Sequence, residues 1–362
     1  MAASRHIAVI GAGNGGLAVA AWTGVHGWQV RIHDIDAATV EGLRAAGVVE
    51  VAGVISGTAP LECVTGDVSE AIAGADLVVV VVPAWAQGQV ATELAPHLSD
   101  EQIVLVMPGC TGGALAVSEV LAANGRRRQV LECDAFPFAC TRPSPNRSEI
   151  AAVKAAFGIA AVPAAVAQET VATVIDAFPQ AQVLPSVLHS GLTNINPVMH
   201  VGPMLLNAGR IEHTNGDFAF YAEGLTPAAV RVVMAYDAER LAVADALGVR
   251  VPSLADWLAS AYGLSTGELP ARLEGLKRVL GSAKAPPAMR HRYLTEDVPF
   301  GTVPVASLAR ELGVAAGTHE ALIELASIAL GEELWATGRT ATTLGLAGLD
   351  AEGMRRRVGA PP

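Results

Sequence analysis

The sequence predicts an α/β protein, with a doubly wound parallel sheet in its N-terminal half and an all-helical C-terminal domain after it. Three observations carry this. Short apolar runs alternate with helical periodicities through the first half, the rhythm of parallel strands joined by crossover helices. The first run ends in a glycine-rich turn that opens a helix. From Ser186 onward the strand-like runs give way to long helical patterns.

In order, residues 7–10 read as the first strand, 17–24 as the body of a helix, 29–33 as the second strand and 37–46 as a second helix. Residues 77–82 and 103–107 are continuous apolar runs, as expected of strands covered on both faces. Asp76 precedes the first of them and Pro83 ends it. The stretch 155–167, broken by Gly158 and Pro163, reads as further buried sheet. The domain change falls at Ser186, which gives a nucleotide-binding domain over 1–185 and a helical domain over 186–362. Helices are expected at 226–247, with Pro227 at its first turn, and at 254–262, 269–280, 306–312 and 320–330. Residues 355–362, beginning with three arginines, read as a loose tail.

Bulk properties narrow the function. At 362 residues two domains are the prior expectation. A net charge of −11 repels phosphate backbones, so no nucleic-acid partner is expected. Mean hydropathy is high, +0.40. A membrane span would need about 20 uninterrupted apolar residues, and neither apolar stretch supplies them, so no membrane partner is expected. The 4 cysteines form no Cys-x-x-Cys pair and lie near no histidine at a zinc-like spacing, which fits a reducing, cytoplasmic location and no metal. The first apolar run leads into the glycine turn instead of a cleavage site, so the mature chain is expected to start near Met1.

Gly11-Ala12-Gly13-Asn14-Gly15-Gly16 follows a strand, opens a helix and lies within a strand–helix–strand unit, the context that turns a weak glycine pattern into a Rossmann dinucleotide site. Gly11 permits the tight turn, Gly13 lets backbone approach a pyrophosphate, Gly16 lets helix and strand pack closely, and the helix N-terminus offers N–H donors. An ordinary glycine-rich loop is the alternative. Asp34, 23 positions after Gly11, ends the second strand where a carboxylate accepts both ribose hydroxyls and repels a 2′-phosphate. NAD(H) is therefore expected ahead of NADP(H), although Arg31 stands nearby; a strand-end cap is the alternative for Asp34. Pro83 either lines the cofactor or only terminates its strand. The turn Gly109-Cys110-Thr111-Gly112-Gly113 either holds a substrate carboxylate through its N–H groups or is a plain strand-to-helix turn.

In the second half, the segment from His189 to His200 is the most polar part of an apolar region. Asn196 and His200, at i and i+4, share a helix face unless Pro197 makes Asn196 the N-cap. On the residues alone His200 also reads as a structural histidine. Arg292-Tyr-Leu-Thr-Glu-Asp297 gathers a guanidinium and two carboxylates ahead of a turn, and spacing gives no means of bringing Asp297 to His200.

The chain resembles the opine dehydrogenase family, also called octopine/nopaline dehydrogenases, and within it the bacterial members that act on neutral amino acids. The resemblance runs through nearly the whole chain. It covers the glycine motif, Pro108-Gly-Cys-Thr-Gly-Gly-Ala114, Leu192-Thr-Asn-Ile-Asn196, Met199-His200, Leu205-Leu-Asn-Ala-Gly-Arg210, Tyr221-Ala-Glu-Gly-Leu-Thr-Pro227, Asp237-Ala-Glu-Arg240, Arg292-Tyr293 and Glu296-Asp-Val298. It implies that His200 is the catalytic acid/base with Asp297 as its carboxylate partner, and that Asn196 and Arg292 are polar groups of the same cleft. It implies NADH-dependent joining of an amino acid to a 2-oxo acid. Arg292 would grip a substrate carboxylate, and the apolar second domain would suit a homodimer. Two rivals share the fold: a ketopantoate or glycerol-phosphate type reductase, which would need a catalytic lysine among Lys154, Lys277 and Lys284, and a non-catalytic NAD sensor.

Overall fold

The computed structural model describes residues 5–264 and 266–360. Met1 and the last two prolines of the expected tail lie outside them. The chain divides into two compact units, one comprising the residues up to Gly109, Gly113–Ser190 and those from Val358 on, the other Cys110–Gly112 and Gly191–Arg357.

The first unit is built on an 11-stranded sheet. Its strands are β1 His6–Ile10, β2 Gln29–His33, β3 Val48–Gly53, β4 Gly57–Thr65, β5 Leu77–Val80, β6 Ile103–Val106, β7 Val130–Cys133, β8 Phe138–Ser144, β9 Arg147–Val153, β10 Phe157–Val162 and β11 Ala181–Val183. Their order is β11-β10-β7-β6-β5-β1-β2-β4-β3-β9-β8. The run β7-β6-β5-β1-β2-β4 is parallel throughout, which is the doubly wound sheet predicted. Leu77, Val78, Val79, Val104 and Leu105 are wholly buried, as central parallel strands require, and each such side chain contributes about 1.5–3 kcal/mol through removal from water.

Antiparallel additions extend both ends; β10 falls within the stretch 155–167 expected as buried sheet, whereas β3, β4, β8 and β9 are not among the predicted strands. β3 pairs with β4 and β8 with β9 in hairpins, while β7 meets β10 antiparallel. β8 and β9 lack a continuous apolar run because one face of each is exposed. Pro143 stands within β8 without harm because β8 is the edge strand, with one side free of ladder bonds.

The second unit is helical, as expected. Its longest helix, Pro227–Ala246, starts with Pro227 in its first turn, and Thr226 caps it by accepting the Ala229 N–H at 3.3 Å, worth about 1 kcal/mol. Val201, Met204, Val233, Leu258 and Ile323 form part of its core. The supposed tail is a correction. Residues 351–358 form the helix Ala351–Val358, with Met354 and Val358 fully buried one turn apart and the three arginines in its last turn, where cations favour the helix dipole. The charged run concealed an amphipathic pattern. Among the described residues no helix is long and apolar enough to cross a membrane.

Candidate active site

In the sheet unit the glycine turn is closed by backbone. Gly11 N–H donates to the His33 carbonyl at 2.9 Å, and φ of +102° at Gly11 is a conformation that a side chain resists. A Cβ on Gly16 would fall 1.7 Å from the Gly11 carbonyl oxygen, whereas one on Gly13 would meet nothing within 4 Å. Gly16 is thus required by packing, and Gly13 leaves open space, as close approach of a pyrophosphate demands. Gly13 begins the helix Asn14–Val25 with no side-chain cap, leaving its first-turn amides to a ligand. These features fit a dinucleotide.

Asp34 sits at the end of β2 with Oδ2 accepting the Ala12 N–H at 2.6 Å and Oδ1 the Asp36 N–H at 2.8 Å. It therefore braces the turn and holds a negative charge beside it. The doubt raised by Arg31 is removed. Its guanidinium donates to the carbonyls of Ala71 and Glu70 and pairs with Glu62 at 3.0 Å, so each of its three nitrogens has a partner other than Asp34. Pro83 lies exposed ahead of a short 3₁₀ turn.

Arg142 was not singled out from sequence. Along β8, the Phe138 ring packs tilted against Trp22, Cys140 reaches the Asn14 carbonyl, and Arg142 Nη1 donates to the Ala12 carbonyl at 3.0 Å. Alternate residues thus step down the first helix to the turn and leave a cation there. The sequence there, Phe138-Ala-Cys-Thr-Arg142, has no polar–apolar alternation that would have marked the strand.

In the helical unit the helix Asn196–Leu206 carries His200, and its partner comes from the segment after the short helix Arg292–Thr295. His200 Nδ1 and Asp297 Oδ2 are 2.7 Å apart, with Asp297 only 4% exposed. What brings these distant residues together is close packing. The π-helical turn Val298–Thr302 lays Gly301 against Pro197, where a Cβ would lie 2.2 Å from Pro197 Cγ. Thr302 Oγ1 donates to the Asp297 carbonyl at 3.2 Å and accepts from the Tyr236 hydroxyl at 3.0 Å, fixing the backbone behind the carboxylate.

Two tyrosines complete the group. Tyr293 stacks on the His200 ring, centroids 3.6 Å apart and planes 10° from parallel, and the Tyr221 hydroxyl lies 3.0 Å from His200 Nε2. Burial and the neighbouring Tyr293 hydroxyl push the Tyr221 pKa far up, so it stays a neutral phenol. Both stand in motifs quoted above. The chain has only 4 tyrosines, so their presence there was a usable hint.

Asn196 is the first residue of its helix, one position after the N-cap, and is exposed, while neighbouring Asn194 is buried with Oδ1 accepting the Asn196 N–H at 3.3 Å. Arg292 is half exposed and donates through Nε to Glu296 at 3.2 Å. Burial opposes its charge, but Glu296 and Asp297 outweigh this and raise its pKa. Burial, reinforced by Glu296, pushes the Cys110 thiol up to about 12, so it is no nucleophile at neutral pH. In its turn Thr111 N–H is spent on the Phe300 carbonyl.

Two other motifs prove architectural. Arg240, wholly buried, donates to Asp237, to the Pro252 carbonyl and to the Leu192 carbonyl just ahead of Asn194. Arg210 pairs with Glu223 while Asn207 Nδ2 bridges the carbonyls of Pro203 and Gly224, tying the helix of His200 to that of Tyr221. Lys277 and Lys284 pair with Glu274 and Asp217. Among the described residues no cluster of three or more His, Cys, Asp or Glu is set to hold a metal.

Comparison with known proteins agrees with this layout. Residues 183–330 match the family model of the NAD/NADP octopine/nopaline dehydrogenase alpha-helical domain, and residues 6–131 match that of the NAD-dependent glycerol-3-phosphate dehydrogenase N-terminus. An opine dehydrogenase of Arthrobacter sp. strain 1C is 35% identical over 360 residues, covering 99% of this chain and 100% of that protein. A solved octopine dehydrogenase in complex with NADH and agmatine superposes with a TM-score of 0.82 at 20% identity over 99% of both chains. A ketopantoate reductase from Ralstonia eutropha JMP134 gives 0.65 at 15% identity over 90% of this chain and 98% of that one, a likeness of fold. With full-length coverage at 35% identity, and with its helical part matching that family's own model, this chain belongs to the opine dehydrogenase family.

Proposed function

We propose that this chain is an NAD-dependent oxidoreductase acting on CH–NH bonds. It joins the amine of an amino acid to a 2-oxo acid such as pyruvate, giving an N-(carboxyalkyl)amino acid, and runs the reverse oxidation. The observation that carries the reading is the buried His200–Asp297 pair at 2.7 Å in a chain of this family.

NADH supplies the hydride when bound. Gly11 to Gly16 would hold its pyrophosphate, with Arg142 balancing charge, and Asp34 would accept the ribose hydroxyls. Residues 1–185 form the cofactor domain and 186–362 the substrate domain in this reading, with Pro83 lining the cofactor. After the amine adds to the carbonyl, the carbinol oxygen must gain a proton to leave as water. His200 gives that proton, and Asp297, accepting from Nδ1–H, fixes the tautomer and stabilises the imidazolium. Arg292 and Asn196 orient the substrate carboxylates. A homodimer in the cytoplasm completes the reading, supported by four cysteines that form no disulfide and by exposed Leu325 and Ile328 on the helix Gly317–Leu330.

The test is a matrix of amino acids against 2-oxo acids, following NADH and NADPH absorbance. NADH oxidation that needs both substrates is the expected result. Oxidation with the 2-oxo acid alone would mark a simple keto-acid reductase instead. His200→Ala should lower kcat by roughly 10²-fold or more with NADH binding intact, and a near-normal kcat would remove His200 from the mechanism.

A further inference from the structure

His200 has two ring nitrogens, and Asp297 accounts for one. The other, Nε2, is the atom left to exchange a proton with substrate, yet it faces the Tyr221 hydroxyl at 3.0 Å. Tyr221 does not sit there by chance of a mobile loop. It belongs to the short helix Phe220–Gly224, whose Glu223 accepts the Ala219 N–H at 2.9 Å and pairs with Arg210, and whose Gly224 carbonyl is tied through Asn207 to the helix carrying His200. Two of the family motifs thus serve to hold one phenol against one imidazole.

We propose that Tyr221 is a positioning residue of the acid/base step, partnering His200 Nε2 in both of its protonation states; the inference rests on His200 being the acid/base. When the ring is neutral, Nδ1–H donates to Asp297 and the Nε2 lone pair accepts the Tyr221 O–H. When Nε2 takes up a proton, the ring donates Nε2–H to the phenol oxygen, and the phenol hydrogen turns towards the Tyr293 hydroxyl beside it. The phenol partners Nε2 before and after the transfer and gives way to the substrate oxygen during it, so no proton leaves the tyrosine, in keeping with a phenol that burial holds neutral. A carboxylate in this place would bind the imidazolium too tightly for it to release its proton, and an apolar group would leave Nε2 unpaired in either state.

A hydrogen bond from an ionised donor is about twice as strong as a neutral one, so the phenol favours the imidazolium over the neutral ring. The other titratable or charged groups around the ring are Asp297, Glu296, Arg292, His291 and Tyr293 from the segment 291–297, with Tyr236 and His319 behind Asp297. None of these occupies Nε2.

The experiment is Tyr221→Phe in the full chain. The limb of the kcat/KM profile that reports the histidine should move to lower pH by about half to one unit, with kcat at neutral pH about tenfold lower and the KM for NADH unchanged. The ring-proton NMR titration of His200, recorded without substrate, should move the same way. If Y221F does not fold, Tyr221→Met, which fills irregular space without a hydroxyl, takes its place. A limb and a titration that stay put, or move to higher pH, overturn the inference, even where activity and melting temperature fall together as for a merely structural residue. If the wild-type protein turns over no amine and oxo-acid pair, the proposed function fails, while the NMR titration still decides the role of Tyr221.

Discussion

At the scale of single residues, the site depends on groups whose partners are set by chemistry that the residue type permits. Asp34 uses both carboxylate oxygens on backbone N–H groups of its own turn, so one side chain shapes the loop and charges it. Asp34→Ala should raise the KM for NADH about tenfold, the loss of one charge-assisted contact of roughly 1.5 kcal/mol, and should narrow the preference over NADPH. Steady-state kinetics with both cofactors measures this. Unchanged selectivity would mean that the carboxylate only braces the turn. Asp34 was legible because its place is set by a short strand of predictable length after the glycine motif. The partnership of His200 with Asp297 was not, since 97 residues separate them and no spacing rule spans that distance. Resemblance pointed to the pair, and packing of Gly301 on Pro197 is its physical cause.

At the scale of elements, the turn between β1 and its helix separates two demands on glycine. Gly16→Ala would drive a methyl group into the Gly11 carbonyl and should destabilise the fold by about 3 kcal/mol or more. Gly13→Ala meets open space and an extended backbone. It should leave the melting temperature within a degree or two of the wild type, the effect of roughly 0.5 kcal/mol or less, and weaken NADH binding at least about tenfold by obstructing the pyrophosphate. Thermal melts and a fluorescence titration with NADH distinguish the two. Equal losses in both variants would contradict the division of roles. Elements with one strong periodicity were legible: β2 spans the predicted residues, and so does the helix Leu254–Tyr262. The edge hairpin β8–β9 was not, because residues on a half-exposed strand carry too little apolar signal, and with it Arg142 escaped notice.

At the scale of the whole molecule, stability should follow pH through a second buried histidine. His319 is fully buried in the helical unit, stacked on Tyr236, with Nδ1 2.8 Å from Glu239. Burial lowers its pKa below the ordinary 6.5. The unfolded chain therefore binds this proton first as pH falls, and stability present above about pH 6.5 declines below it. Glu239 adds a later loss. Burial opposes its charge, but bonds from His319 and Thr318 hold its pKa down to about 2, so its contribution is present above about 4.5 and fades towards about 2. Thermal melts between pH 8 and 5, a window on the order of 1.5 units either side of 6.5, should show a decline that His319→Asn flattens while lowering stability at neutral pH by about 1–3 kcal/mol. An equally steep decline in the variant would place the titrating group elsewhere.

By itself the sequence determined the α/β plan, the glycine turn between strand and helix and the acidic residue beside it, because strand periodicity, glycine spacing and strand length are local properties that a few tens of residues enforce. Only the tertiary structure decided which carboxylate meets His200, that Tyr221 and Tyr293 enclose its ring, that Arg31 is spent on Glu62 and two carbonyls, and that the arginine-rich end is helical. These depend on close packing between segments far apart in the chain, where a missing Cβ at Gly301 or a buried bond such as that from Arg240 to the Leu192 carbonyl sets distances that no local pattern encodes.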